Sequence, residues 1–151
     1  MTRLIIETFI RAPREVVFDL ARDVTAHNRS ASFSHERCVE PGRTEGLLEL
    51  NDLVTFEGVH FGIRQRFTAK IVELERPSYF VDELVKAAFK SMRHVHAFEE
   101  RDGGTLMRDT LDWTSPFGIL GVLADKIAVT SHLRHFVTKK QLALKAIAEA
   151  Q

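Results

Sequence analysis

The chain has 151 residues, with 21 basic and 21 acidic side chains, formal net charge zero and a single cysteine. That length suits one domain, expected over residues 1–151, which can bury roughly 68–70% of its extended-chain surface without covalent staples. The even charge gives no basic excess for nucleic acid or an anionic membrane, and lone Cys38 can form neither an internal disulfide nor a Cys/His zinc site, so a reducing cytoplasm is the expected location.

In chain order, Leu4 to Arg11 is rich in β-branched and aromatic residues and reads as a strand that stops at Ala12-Pro13. The apolar run at its start is cut by Glu7, too short for a signal peptide, and no segment approaches the ~20 apolar residues of a membrane span, so no membrane insertion is expected. Pro13 suits the first turn of a helix reaching Ala21, with Val17, Leu20 and Ala21 at helical spacing. Asp23 is placed to cap a second short helix through Ser30. Polar residues from Ser32 to Glu36 loosen the chain before a strand at Cys38 that turns at Pro41-Gly42.

From Leu53 the pattern is strand after strand: 53–61, 63–74, 78–85, 91–99 and 105–114. Short links between them imply antiparallel pairing. The last two flank Asp102-Gly103-Gly104 and read as a hairpin. Alternation puts His94, His96 and Phe98 on one face, and Met107, Asp109, Leu111 and Trp113 on one face of the partner strand. A turn centred on Asp102-Gly103 sets His96 opposite Asp109 and Arg93 opposite Asp112. The run from Ser115 to Gly121 is a breaker-rich loop, the expected gate. Beyond it one long helix carries Leu123, Ile127, Leu133, Phe136, Val137, Leu144 and Ile147 near helical spacing, with Lys139, Lys140 and Lys145 read as its solvated face.

These elements make an α+β helix-grip fold: a curved antiparallel sheet wrapped around a long C-terminal helix, with two short helices after the first strand. A sheet curved around a helix leaves room for a pocket. Phe56, Phe61, Phe67, Phe89, Phe98 and Trp113 fall in the sheet region as its walls, with Leu123, Ile127 and Leu133 closing it from the helix. The opposing expectation is that these groups simply meet in a dense core.

The histidine pair admits three roles. A metal is not expected, because only Asp109 and Asp82 could complete the ligands. A cross-strand His96–Asp109 pair could hold the sheet. Alternatively, His94 or His96, oriented by Asp109 among apolar groups, could move protons as an acid or base. Asp82 shares a face with Phe80, and its partner depends on the register after Val85. Arg64 and Arg66 share a face that is read as solvated, since a buried unpaired arginine is costly. Nucleophilic catalysis has no support: Cys38 lacks a histidine at motif spacing, and no serine sits in a Gly-x-Ser-x-Gly string.

The order of elements, together with His60-Phe61-Gly62, Phe80-x-Asp82, His94-x-His96-x-Phe98, Thr105-x-Met107-x-Asp109 and Pro116-x-Gly118-x-Leu120-Gly121, resembles the SRPBCC superfamily. This superfamily is also called START-like or birch-pollen-allergen-like. Within it the chain is similar to a bacterial ligand-binding branch labelled polyketide cyclase/dehydratase or lipid-transport related, some members of which are labelled cell-division inhibitors. The resemblance spans the whole chain and implies a small hydrophobic ligand such as a lipid, polyketide or isoprenoid-like compound. It names fold and branch but not chemistry, because one scaffold hosts many functions. Its ligand-facing residues are expected to be His60, Phe61, Asp82, Phe89, Phe98, Met107, Leu111, Trp113, Leu123 and Ile127. Catalysis of cyclase/dehydratase type would fall to His94, His96 and Asp109, and a regulatory interaction domain is a third reading. Related domains are sometimes joined to epimerase-like dehydrogenases, which makes such an enzyme an expected partner. No Gly-rich dinucleotide fingerprint occurs here and no cofactor is expected.

Overall fold

The computed structural model describes residues 1–87, 89–115 and 118–151. Strand β1 (Thr2–Ile10) is followed by helices α1 (Arg14–Ala21) and α2 (Val24–Ser30), and by β2 (Arg37–Val39). Then come β3 (Leu53–His60), β4 (Ile63–Glu75), β5 (Tyr79–Lys86), β6 (Ser91–Arg101) and β7 (Gly104–Thr114). The chain ends with α3 (Gly118–Ala124), a π-helical turn (Asp125–Val129) and α4 (Thr130–Glu149). Among these residues seven strands form one antiparallel sheet in the order β1-β7-β6-β5-β4-β3-β2. Consecutive strands pair throughout, except that β1 returns to lie beside β7. The result is a curled half-barrel gripping α4.

Local chemistry explains the elements. Leu4, Ile6 and Ile10 alternate inward along β1. Pro13, at φ −59°, opens α1, and the Asp23 carboxylate accepts from the Thr25 N–H to cap α2. The β6–β7 turn places Asp102 and Gly103 at φ 49° and 76°, the left-handed pair a tight hairpin needs. Gly104 has no room for a side chain, since a Cβ there would sit 2.5 Å from the Ile10 carbonyl oxygen. Register shifts at Thr68/Ala69 and Ile71/Glu73 bend the sheet along β4.

Two buried clusters flank the space between sheet and helix. One surrounds Phe18, whose ring meets Phe80 and Phe98 edge-on at 5.5 and 5.3 Å. The other gathers Leu4, Ile6, Met92, Leu111 and Val137 around Trp113. Among the described residues no helix is long and apolar enough to cross a membrane.

The expected single C-terminal helix is corrected in two respects. Helix begins at Gly118, inside the segment read as a loop, and it is interrupted by the π-helical turn before α4. Pro116 and Phe117, within the expected gate, lie outside the described residues.

Candidate functional site

A cavity of about 190 Å³ lies between the sheet and α4. Phe56, Phe67, Met107, Leu111, Leu133 and Phe136 supply much of its apolar wall. Its polar groups fall into two clusters, one on the central strands and one joining β3 to the helices.

The first cluster follows from the hairpin register. His96 stands opposite Asp109, Arg93 opposite Asp112, and Asp82 opposite His94 on the next strand. Cross-strand neighbours on one face are close enough to bond. His96 donates through Nε2 to Asp82 Oδ2 at 2.7 Å, and its Nδ1 lies 2.9 Å from Asp109 Oδ1 in an ion-pair contact. His94 Nε2 donates to the same Asp109 oxygen at 2.8 Å. The two imidazoles stack at 3.7 Å, and Phe80 covers the other face of His96 at 4.3 Å. Gln141, reaching down from α4, donates to Asp109 Oδ2 and to the Ile6 carbonyl.

This geometry decides protonation. A carboxylate only accepts, so the two carboxylate oxygens facing the ring nitrogens of His96 favour the imidazolium. Burial lowers the His96 pKa, but the bonds to Asp109 and Asp82 outweigh it and raise it to about 9. His94 moves the other way: burial and the adjacent His96 charge lower its pKa despite its bond to Asp109. A neutral His94 with its proton on Nε2 has a free lone pair on Nδ1, and among the described residues no hydrogen bond occupies that atom. Burial alone would raise the Asp109 and Asp82 carboxyls, yet their histidine partners hold both below the usual range.

Asp82, His94 and His96 offer ligand atoms within 4.8 Å of one another. Contacts of 2.7–2.9 Å are hydrogen-bond contacts, and both His96 nitrogens are occupied. The donor set therefore fits a proton-holding network better than a metal centre.

The second cluster is nearer the rim. His27 Nε2 donates to Glu36 Oε1 at 2.7 Å, His60 Nε2 lies 3.4 Å from Glu36 Oε2, and His60 Nδ1 meets His132 Nε2 at 2.7 Å. Phe61, half exposed, packs on the His132 ring at 4.4 Å. Burial and the Lys140 charge lower the His27 pKa against the pull of Glu36, while its bonds to His27 and His60 keep Glu36 well below the usual range despite burial.

Of the expected ligand-facing residues, His60, Phe61, Asp82, Phe89, Met107 and Leu111 line the cavity, as do His94, His96 and Asp109. Phe98 and Trp113 do not line it; they are 3% and 0% exposed and belong to the two packed clusters. Leu123 and Ile127 are also misplaced by the sequence reading, being 53% and 71% exposed. Their segment precedes α4, and it is Leu133, Phe136 and Val137 that face inward. Lys140, expected in solvent, lines the cavity. Arg64 and Arg66 are largely exposed as expected, and both pair with Glu57. Cys38 is buried, which pushes its thiol up to about 12 and leaves it unreactive.

Residues 10–132 match the protein family described as "Polyketide cyclase / dehydrase and lipid transport". The chain belongs to this family. Among curated proteins none matches the sequence significantly. Solved structures agree on the fold. TTHA0849 from Thermus thermophilus superposes with TM-score 0.80 at 18% identity, over 99% of this chain and 98% of that one. Protein Ms6760 from Mycobacterium smegmatis gives 0.74 at 17%, over 98% and 91%. Ginseng major latex-like protein 151 from Panax ginseng gives 0.69 at 13%, over 97% of each. Membership of the polyketide cyclase and lipid-transport family, on an SRPBCC-type fold, makes this a domain of hydrophobic-ligand-binding type.

Proposed function

We propose that the protein holds one small, mostly apolar molecule between sheet and helix, with the polar end of that molecule toward the histidine–carboxylate groups. The observation that carries this is the cavity of about 190 Å³, walled by aromatic and aliphatic side chains with a few convergent polar groups. A lipid, polyketide or isoprenoid-like compound fits that description. The reading is tested by native mass spectrometry of protein purified gently from its own host. A retained small molecule, absent from a Leu111→Trp variant that fills the cavity, is the expected result. A clean ligand-free mass, with no uptake of apolar fluorophores, would sink the proposal.

A catalytic reading is favoured by one specific observation, the unoccupied Nδ1 of His94. A neutral imidazole oriented by a carboxylate can take a proton next to a carbonyl, or assist loss of water. His96, with each ring nitrogen facing a carboxylate oxygen, offers no lone pair for that role. Given a substrate, His94→Gln should abolish turnover and leave ligand affinity within a few fold, whereas unchanged turnover would remove the base. An epimerase-like dehydrogenase partner and a cytoplasmic location go with the proposal, the latter on the single cysteine. The interaction-domain reading rests on the labels of relatives alone, and the lack of a cavity that would have favoured it is not found.

A further inference from the structure

The charges facing the cavity do not balance. Four carboxylates line it: Asp23, which accepts from the Thr25 N–H as the cap of α2, and Glu36, Asp82 and Asp109, each accepting from histidine N–H groups. Against them stand the His96 imidazolium, fixed by its two acceptors, and the Lys140 ammonium. Negative charge is left over, one unit among the histidine-bonded groups and a further one at Asp23. The other lining cations are already engaged: Arg22 with Asp19 and Glu49, each at 3.0 Å, and Arg66 with Glu57 at 2.8 Å.

Lys140 is the exception. It sits one turn from Phe136 and Leu144 on the face of α4 that closes the cavity, with its ammonium 5.8 Å from the centre of the Phe56 ring. Among the described residues no carboxylate oxygen lies within 4.0 Å of it and no hydrogen bond engages it. Its charge reaches His27, Glu36 and Asp82, so it points toward the polar interior. Three unspent N–H donors therefore wait for an acceptor carried in by a ligand.

The surrounding charge selects which acceptor. A carboxylate head would bond to Lys140 but would add a further anion to a poorly solvated space that already carries surplus negative charge, where like charges repel strongly. A cationic head would meet Lys140 and His96. An uncharged oxygen accepts the same hydrogen bond and adds no charge. We propose that the cavity selects an amphiphile with a neutral oxygen head, a ketone or an alcohol, fixed by Lys140, and discriminates against the carboxylate of equal chain length. This rests on the ligand-binding reading above.

The test is calorimetric titration of the full chain near pH 8 with 2-octanone, 1-octanol and octanoate. The expected order is octanone and octanol tighter than octanoate by about tenfold or more. Lys140→Met, checked for folding by its melting midpoint, should weaken octanone about three- to tenfold while leaving an apolar fluorophore unaffected. Glu36→Gln, which removes one anion, should narrow the gap by improving octanoate. Octanoate binding as tightly as octanone, or an octanone affinity indifferent to Lys140→Met, would overturn the headgroup assignment and leave ligand binding standing. Failure of all three compounds and of the fluorophore would bring down the ligand-binding reading and this inference with it.

Discussion

The two histidine clusters of the cavity share burial and residue types, yet His96 in one and His27 in the other are shifted in opposite directions. On the central strands two carboxylates, Asp82 and Asp109, serve two histidines, and His96 receives both of them. Near the rim a single carboxylate, Glu36, serves His27 and His60, with His132 bonded one step further out. His96 is accordingly raised to about 9 while His27 is lowered. Desolvation acts on both, so the number of acceptors per ring, together with the Lys140 charge that bears on His27, decides the outcome. His94 makes the same point inside the first cluster: it shares Asp109 with an imidazolium and stays neutral.

The contrast can be broken most directly at Asp109. Asp109→Ala should cost about 3–5 kcal/mol in urea unfolding, because it strips one acceptor from a buried imidazolium and another from the Gln141 amide. A loss below about 1 kcal/mol would show that the network does not hold His96 charged. The second test is pH. A His96 raised from 6.5 to about 9 contributes stability that is complete below about 6.5 and lost as pH rises through about 9. The melting midpoint should therefore fall on the alkaline side, and His96→Asn should flatten that limb. His27, lowered, works the opposite way: its contribution is present above about 6.5 and is lost as pH falls below that. The rim should soften in acid, and carbon-13 titration of the imidazoles would separate the two directions. A smaller effect is expected from Glu36→Gln, about 1–3 kcal/mol, since a neutral His27 retains an acceptor in the amide. Arg3→Ala, which removes an exposed pair with Asp112 at 2.7 Å, should leave the midpoint unchanged within error.

Much of the central-strand cluster was legible in the sequence, because its parts lie on one hairpin whose turn residues fix the register. Once Asp102-Gly103 is placed, His96 must oppose Asp109. Asp82 was visible as a candidate, but its bond to His96 depends on how β5 pairs with β6. The rim cluster was illegible apart from His60: His27, Glu36 and His132 come from α2, the segment before β2, and α4, and nothing local brings them together. Helical periodicity marked a face of the last helix without fixing its rotation against the sheet. Lys140 therefore read as a solvent-facing position, although it reaches the cavity, Gln141 beside it drew no reading, and Leu123 and Ile127 read as a continuation of a stripe that the π-helical turn interrupts. Phe98 and Trp113 share a strand face with groups that do line the cavity, but they lie where the two cores are closed, and alternation cannot tell a wall from a core.

Among the described residues strand β1 ends the sheet with β7 as its only strand neighbour, and α4 attends to the backbone there: Gln141 donates to the Ile6 carbonyl at 3.1 Å, Lys145 to the Phe9 carbonyl at 2.5 Å, and Glu149 accepts from the Arg11 N–H at 3.3 Å. An uncovered strand edge recruits other strands, so the last turns of this helix act as a guard against intermolecular pairing. Loss of the chain beyond Gln141 would then reveal itself first as aggregation seeded at the N-terminal strand, before any ligand is lost.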